Sequence, residues 1–158
     1  HLLSPALNVA KIGAPILITQ HLPAIFMPYF ARQLQAASGR DACVAQDGQT
    51  LVADLVHVAP GNAHLCLEQK GSSVRVRLDK RPAPSGCLPS VDPMLAAVAE
   101  VYGESAIAIV LSGMGRDGLI GSRRLHRVGE WHRVFGTVIR GGRVNWRRQV
   151  LAYDFAQP

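Results

Sequence analysis

One carboxylate stands among three glycines in the motif GMGRDG, residues 113–118, just after an apolar run. Glycines permit positive φ angles and bring backbone N–H groups close to a substrate, as in an oxyanion hole. His21 follows a second apolar run, PILITQ. An aspartate bonded to one imidazole nitrogen fixes the tautomer and stabilises the imidazolium, so the other nitrogen can act as a base. Asp117 and His21 are therefore the candidate catalytic pair.

This pair can form only if the fold brings the ends of two strands together. The runs 14–20 and 106–112 are short, apolar and bounded by Gly or Pro, which is typical of buried parallel strands. Ligands of open α/β sheets bind beyond the carboxyl ends of the strands, and both side chains follow such ends. We therefore expect His21 and Asp117 to lie within hydrogen-bond reach. The alternative is structural: a packed histidine and a helix cap.

Strand and helix patterns alternate along the rest of the sequence. Apolar residues at helical spacing predict three helices, over residues 25–37, 93–102 and 118–129. Asp92 is the predicted N-cap of the second. Alternating residues around Lys70-Gly71-Ser72 predict a hairpin with one exposed face. This order predicts an α/β fold, with a doubly wound, mostly parallel sheet, helices on both faces and a small hairpin.

The helical phase predicts which side chains are buried. Those expected to pack inside are Phe26, Phe30, Leu34 and Val98. Arg32 and Glu100 are expected to face water. The histidines expected to be structural or exposed are His57, His64, His126 and His132.

Composition narrows the class of protein. The chain has 158 residues, 48% of them hydrophobic and 18% charged, which suits one globular domain. No apolar run approaches the roughly 20 residues of a membrane helix, so we expect no membrane insertion and a cytoplasmic location. The three cysteines form no CxxC pair, and we expect no disulfide framework, metal site or cofactor.

Positive charge is concentrated in residues 116–148, which hold nine arginines against two acidic residues. Such a segment can meet nucleic acid or an acidic protein, or it can be a solvated surface. Because no aromatic residues interleave with the arginines in a recognisable nucleic-acid-binding pattern, we expect no nucleic-acid partner.

Four segments resemble a known family in order and spacing. They are ITQHLPAIFMPYFARQL, VHVAPGNAHLCL, PSVDPMLAAVAEVYG and IVLSGMGRDGLIGSRRL. Together they resemble the catalytic domain of the chemotaxis protein-glutamate methylesterases, the CheB family, over residues 5–129. The resemblance implies a serine hydrolase on a doubly wound fold. Its substrates would be γ-glutamyl methyl esters, and glutamines for deamidation, on the cytoplasmic helices of chemoreceptors.

The resemblance also assigns roles to individual residues. His21 matches the family's catalytic histidine, and Asp117 matches the aspartate that orients it. Met114 falls where the family uses a backbone N–H near the oxyanion. No cofactor or metal is implied.

The sequence departs from the family at both ends. The family's nucleophile lies in a Ser-Thr-Gly-Gly-Pro turn ahead of the histidine, and no such turn occurs here. Ser4 is the only nearby hydroxyl, but it lacks flanking glycines, precedes a proline and lies too close to His21. After about residue 129 the sequence diverges, and no receiver domain precedes the match. We therefore expect one methylesterase domain over 1–158, truncated at its N-terminus.

Two functions remain open on the sequence alone. The first is a protein-glutamate methylesterase that acts on methylated chemoreceptor helices. The second is a catalytically inactive relative that binds a receptor or a signalling partner. The missing nucleophile favours the second, whereas the candidate pair favours the first.

Overall fold

The computed structural model describes residues 12–111, residues 116–126 and the strand at 150–155. The strands are β1 (Ile16–Gln20), β2 (Ala42–Val44), β3 (Val56–Val58), β4 (His64–Lys70), β5 (Ser73–Asp79), β6 (Ala106–Leu111) and β7 (Val150–Phe155). The α-helices are α1 (Met27–Ser38), α2 (Val91–Tyr102) and α3 (Leu119–His126). None of these helices is long and apolar enough to cross a bilayer.

Five strands form one parallel sheet in the order β2-β3-β1-β7-β6. The sheet confirms the predicted fold class and places β1 and β6 in one parallel sheet, separated by β7. Strand β7 was not predicted, because the divergent sequence after residue 129 shows no clear strand pattern. The segment VLAYDF nevertheless pairs with both neighbours, through Ile16↔Leu151 and Ile107↔Leu151.

Alternation along β1 divides the interior into two cores. Ile16 and Ile18 point to one face, where they pack with α1, and Leu17 points to the other, where it packs with α2. All three side chains are fully buried. Successive strand residues point to opposite faces, so a strand that is buried at every position needs helices on both sides. This arrangement confirms the doubly wound architecture.

Helix α1 corrects one predicted contact. Residues 24–26 form a 3₁₀ turn and the α-helix begins at Met27, so the buried stripe starts there and continues through Ala31 and Leu34. Phe26 therefore faces solvent and is 53% exposed, contrary to the prediction. Phe30 is partly buried against the same core, and Arg32 is exposed as predicted.

The start of α2 corrects a second prediction. The N-cap is Ser90, and Asp92 lies inside the first turn. The Asp92 carboxylate instead caps the neighbouring helix α3, where its Oδ1 accepts the Gly121 N–H at 2.7 Å. Val98 is buried and Glu100 is exposed, as predicted.

Strands β4 and β5 form the predicted hairpin around Gly71, whose φ is +59°. Its first half is more buried than alternation predicted, because His64, Leu65 and Leu67 are all inside. Leu65 packs with Met94 of α2 in a shared cluster. The hairpin therefore covers α2 rather than extending the main sheet.

Gly121 sits where α3 crosses α2. A Cβ added there would lie 2.7 Å from the Leu95 Cβ and 2.9 Å from the Asp92 carbonyl oxygen. A helical Gly→Ala change ordinarily stabilises by about 1 kcal/mol. Here we expect Gly121→Ala to destabilise the fold by about 1–3 kcal/mol, because the methyl group overpacks the crossing.

Thermal unfolding of this variant beside Ser122→Ala checks the sign. The Ser122 hydroxyl bonds only to the Leu119 carbonyl among the described residues, so its loss should change stability by less than about 0.5 kcal/mol. A Gly121→Ala protein at least as stable as the parent would show that the two helices can separate without cost.

Candidate active site

His21 and Asp117 are in direct contact. His21 is the first residue after β1, and Asp117 lies between β6 and the start of α3. The imidazole Nε2 and the carboxylate Oδ2 are 2.7 Å apart. The side chains are 24% and 5% exposed, so the imidazole is accessible while the carboxylate is nearly enclosed. The predicted meeting of the two strand ends is confirmed.

The Asp117 carboxylate is also held by the N-terminus of α2. The Ser90 hydroxyl donates to Oδ1 at 2.6 Å, and the Val91 backbone N–H donates to Oδ2 at 2.8 Å. Backbone N–H groups and the helix dipole at an N-terminus favour a negative charge. Asp117 is thereby fixed in position and orientation by donors from two separate parts of the chain, His21 and the start of α2.

These contacts set the charge of the carboxylate. Burial raises the pKa of Asp117, but hydrogen bonds from His21, Ser90 and the Val91 N–H outweigh it and bring the pKa down to about 2. Asp117 is therefore ionised at neutral pH and can only accept hydrogen bonds. The Nε2 of His21 must then carry the hydrogen. In the neutral ring, Nδ1 holds the lone pair and is the atom that can act as a base.

Sequence reasoning missed the residues that support Asp117. Buried His64 accepts the Ser90 N–H on Nδ1 at 2.8 Å, and its Nε2 lies 2.8 Å from the Arg81 carbonyl oxygen. The structural role expected for His64 is right, although it has partners that the sequence did not indicate. His57 is also buried, and burial lowers its pKa to about 4, so it stays neutral at pH 7.

Gly61 positions the segment that follows His21. A Cβ at Gly61 would lie 2.3 Å from the Ala24 nitrogen and 2.4 Å from the Leu22 carbonyl oxygen. Only a residue without a side chain allows this approach. The turn after β3 therefore supports the loop that leads from His21 into α1.

A thiol lies beside the pair. A ring nitrogen of His21, the sulfur of Cys87 and a carboxylate oxygen of Asp117 all lie within 4.8 Å of one another. Among the residues that the structure describes, this is the only group of three such side chains. The number and spacing of the cysteines did not indicate this group, because His21, Cys87 and Asp117 are far apart in the sequence.

Other expected site residues lie outside the described part of the chain. Met114 and its neighbouring glycines fall in the interval 112–115, and Ser4 falls in 1–11. Their roles at an oxyanion site and as a nucleophile stay predictions.

Residues 2–134 match the family model described as CheB methylesterase. The chain belongs to the CheB methylesterase family. It is 39% identical over 133 residues to a protein-glutamate methylesterase/protein-glutamine glutaminase of Paramagnetospirillum magneticum, and 37% identical over 125 residues to one of Rhodospirillum rubrum. These matches cover 84% and 79% of this chain but 33% and 31% of the relatives. The chain thus spans about a third of their length.

A solved structure of the family matches as well. The crystal structure of the Thermotoga maritima CheB methylesterase catalytic domain superposes with a TM-score of 0.74 at 27% identity. The match covers 94% of this chain and 85% of that one. The CheB fold is therefore shown at the level of both sequence and structure.

The low pKa of Asp117 predicts a pH-dependent contribution to the stability of this CheB domain. Because the folded pKa of about 2 lies below the roughly 4 of an unfolded aspartate, the ionised form stabilises the fold. That contribution is complete above about pH 4 and is lost as the pH falls through about 2. We expect Asp117→Asn to be destabilised at pH 7, with a gap to the parent that narrows below about pH 4.

Urea unfolding from pH 7 to pH 3 measures this gap. Asp41→Asn, at an exposed carboxylate, is the control and should show a smaller gap at pH 7. A gap for Asp117→Asn that does not change with pH would mean that the carboxylate is not ionised preferentially in the folded chain.

Proposed function

We propose that this chain carries the catalytic domain of a protein-glutamate methylesterase. Its substrates are γ-glutamyl methyl esters, and glutamines for deamidation, on the cytoplasmic helices of chemoreceptors. The observation that carries the proposal is the 2.7 Å contact between His21 and a buried, ionised Asp117 in a chain of this family. The names of the relatives, protein-glutamate methylesterase/protein-glutamine glutaminase, support the substrate class. A receptor-acting enzyme of this kind works in the cytoplasm.

The proposed mechanism assigns His21 as the base. Its Nδ1 takes the proton of a serine hydroxyl as the oxygen attacks the γ-carbonyl carbon, and the imidazolium is stabilised by Asp117. His21 then returns the proton to the leaving methoxide, and methanol departs. A water molecule hydrolyses the acyl-enzyme by the same proton path. Asp117 keeps its charge throughout, because its pKa of about 2 lies far below that of an imidazolium.

Two further groups complete the proposed site. The backbone N–H of Met114 stabilises the oxyanion that forms at the γ-carbonyl. The serine belongs to a Ser-Thr-Gly-Gly-Pro turn ahead of Pro5, as the family resemblance implies, and is not Ser4. Ser4 precedes a proline and has no flanking glycines.

Methanol release from methylated receptor tests the assignment. We expect no release by residues 1–158 alone, and release once a strand ending in Ser-Thr-Gly-Gly is joined before Pro5. In the joined protein, His21→Ala and Asp117→Ala should each lower turnover by about 10⁴-fold or more, because neither a base nor its orienting carboxylate can be spared.

Ser4→Ala is the control and should leave turnover unchanged. Release by the unextended chain that disappears in Ser4→Ala would identify Ser4 as the nucleophile. Receptor binding by the joined protein without methanol release would instead support the inactive relative.

Exposed apolar side chains follow both members of the pair in the sequence and suit a helical substrate. They are Ile25, Phe26 and Tyr29 after His21, and Leu119 and Ile120 after Asp117. Exposed apolar patches of this kind mark protein contact sites, and an amphipathic helix presents a matching apolar face. The receptor's methylated helices supply such faces.

This surface predicts a change in KM. In the joined protein, we expect the double change Ile25→Ser and Tyr29→Ser to raise KM for methylated receptor about tenfold or more, because two anchoring contacts are lost. Hydrolysis of a small methyl ester should be unchanged, since such a substrate does not reach this surface. Steady-state kinetics with both substrates make the comparison.

Val52→Ser is the matched control. Val52 is 53% exposed, as Phe26 is, but it precedes β3 and so lies near the amino ends of the parallel strands, opposite the pair. An equal effect on receptor KM from Val52→Ser would argue against a docking surface beside His21.

A further inference from the structure

The thiol of Cys87 adjoins the catalytic pair, and methylesterase chemistry has no use for it. We propose that His21, Cys87 and Asp117 form a binding site for a soft divalent transition metal, with Zn²⁺ as the fitting occupant, and that the bound ion switches the catalytic pair off. The inhibitory effect rests on the proposed function, whereas the metal site does not.

The geometry is close to that of a zinc site. The three donor atoms lie within 4.8 Å of one another, and the imidazole Nε2 and Asp117 Oδ2 are 2.7 Å apart. Zinc bonds of about 2.0–2.3 Å in a tetrahedron separate its donors by roughly 3.3–3.8 Å. To match these separations, the imidazole nitrogen and the Asp117 oxygen must move apart by about 1 Å. The Cys87 sulfur must approach them by at most about 1 Å. These adjustments fall to His21 and Cys87, which are partly exposed, because Asp117 is held in place by Ser90 and the Val91 N–H.

The donor chemistry also favours such an ion. A thiolate, an imidazole and a carboxylate are all common zinc ligands, and the sulfur disfavours Mg²⁺ or Ca²⁺. Asp117 is already ionised at neutral pH. The ion would displace the proton of the Cys87 thiol, and a fourth position would stay open to water, as in zinc sites with three protein ligands.

The other two thiols lack this setting. Cys43 lies 4.0 Å from the Nδ1 of His57, but no third donor joins them among the described residues. Cys66 is buried, and burial raises the pKa of its thiol to about 11, which opposes formation of a thiolate. Cys87 is thus the cysteine expected to hold a metal, and Cys43 is the matched control.

Occupation by a metal removes the base. A neutral imidazole has one in-plane lone pair, and coordination uses it whichever ring nitrogen binds the ion. Coordination also takes the Asp117 charge that stabilises the imidazolium. Zinc should therefore inhibit ester hydrolysis reversibly, and a chelator should restore it.

Titration of the chain with Co²⁺ tests the site directly, because a cobalt–thiolate bond gives a charge-transfer band in the near ultraviolet. We expect one equivalent to produce this band in the parent and in Cys43→Ser. In Cys87→Ser the band should be absent, and Zn²⁺, measured by competition with a chromophoric chelator, should bind at least about tenfold more weakly than in the parent. A band that persists in Cys87→Ser, or that is lost in Cys43→Ser, would overturn the assignment.

A second measurement needs no variant. Zn²⁺ should protect Cys87 of the parent chain from alkylation by iodoacetamide, as read by mass spectrometry, while Cys43 is alkylated at an unchanged rate. Equal labelling of Cys87 with and without zinc would exclude the site.

The two proposals fail separately. Cobalt binding by the joined protein, together with a failure of that protein to release methanol, would remove the methylesterase function and leave the metal site. Methanol release that is insensitive to Zn²⁺ would remove the inhibitory effect and leave the esterase.

Discussion

The buried carboxylate of Asp117 is the constraint on which the site depends. An ionised group that is only 5% exposed must be paired and hydrogen-bonded, or it takes up a proton and loses its charge. The end of β1 supplies His21 as a donor, and the start of α2 supplies the Ser90 hydroxyl and the Val91 N–H. Satisfying this charge therefore ties β1, α2 and the segment before α3 together at one end of the sheet.

A second carboxylate, that of Asp92, lies near the charge of Asp117 and has a different role at the starts of α2 and α3. Asp92 is buried at the start of α2, and burial together with the nearby charge of Asp117 raises its pKa. Its Oδ1 accepts the Gly121 N–H at the start of α3, while the Oδ2 of Asp117 accepts the Val91 N–H at the start of α2, so each carboxylate caps one helix. Neighbouring carboxylates with pKa values moved in opposite directions are typical of sites that need one fixed charge. Here the fixed charge faces the imidazole.

The sequence predicted the parts of this arrangement that depend on periodicity and missed those that depend on loops. Two apolar runs, each followed by a polar residue, were enough to place His21 beside Asp117, because parallel strands end at one edge. Ser90 and Cys87 were missed, since the segment 80–90 is rich in prolines and has no period to extrapolate. Phe26 was misplaced because a 3₁₀ turn shifts the start of α1 by two residues. Strand β7 was missed because a six-residue apolar segment in a divergent, arginine-rich region has no flanking signal.

The features that suit His21 to the proposed role of base also suit it to metal binding. A base needs an accessible lone pair and a neighbouring negative charge, and a zinc ion is drawn to both. In a site with no thiol, the carboxylate and imidazole alone offer two ligands, which is fewer than the three that zinc sites use. Cys87 adds the third and the softest. Cys87 lies in the segment that ends at Ser90. Its position therefore determines whether the site offers a metal ion two ligands or three.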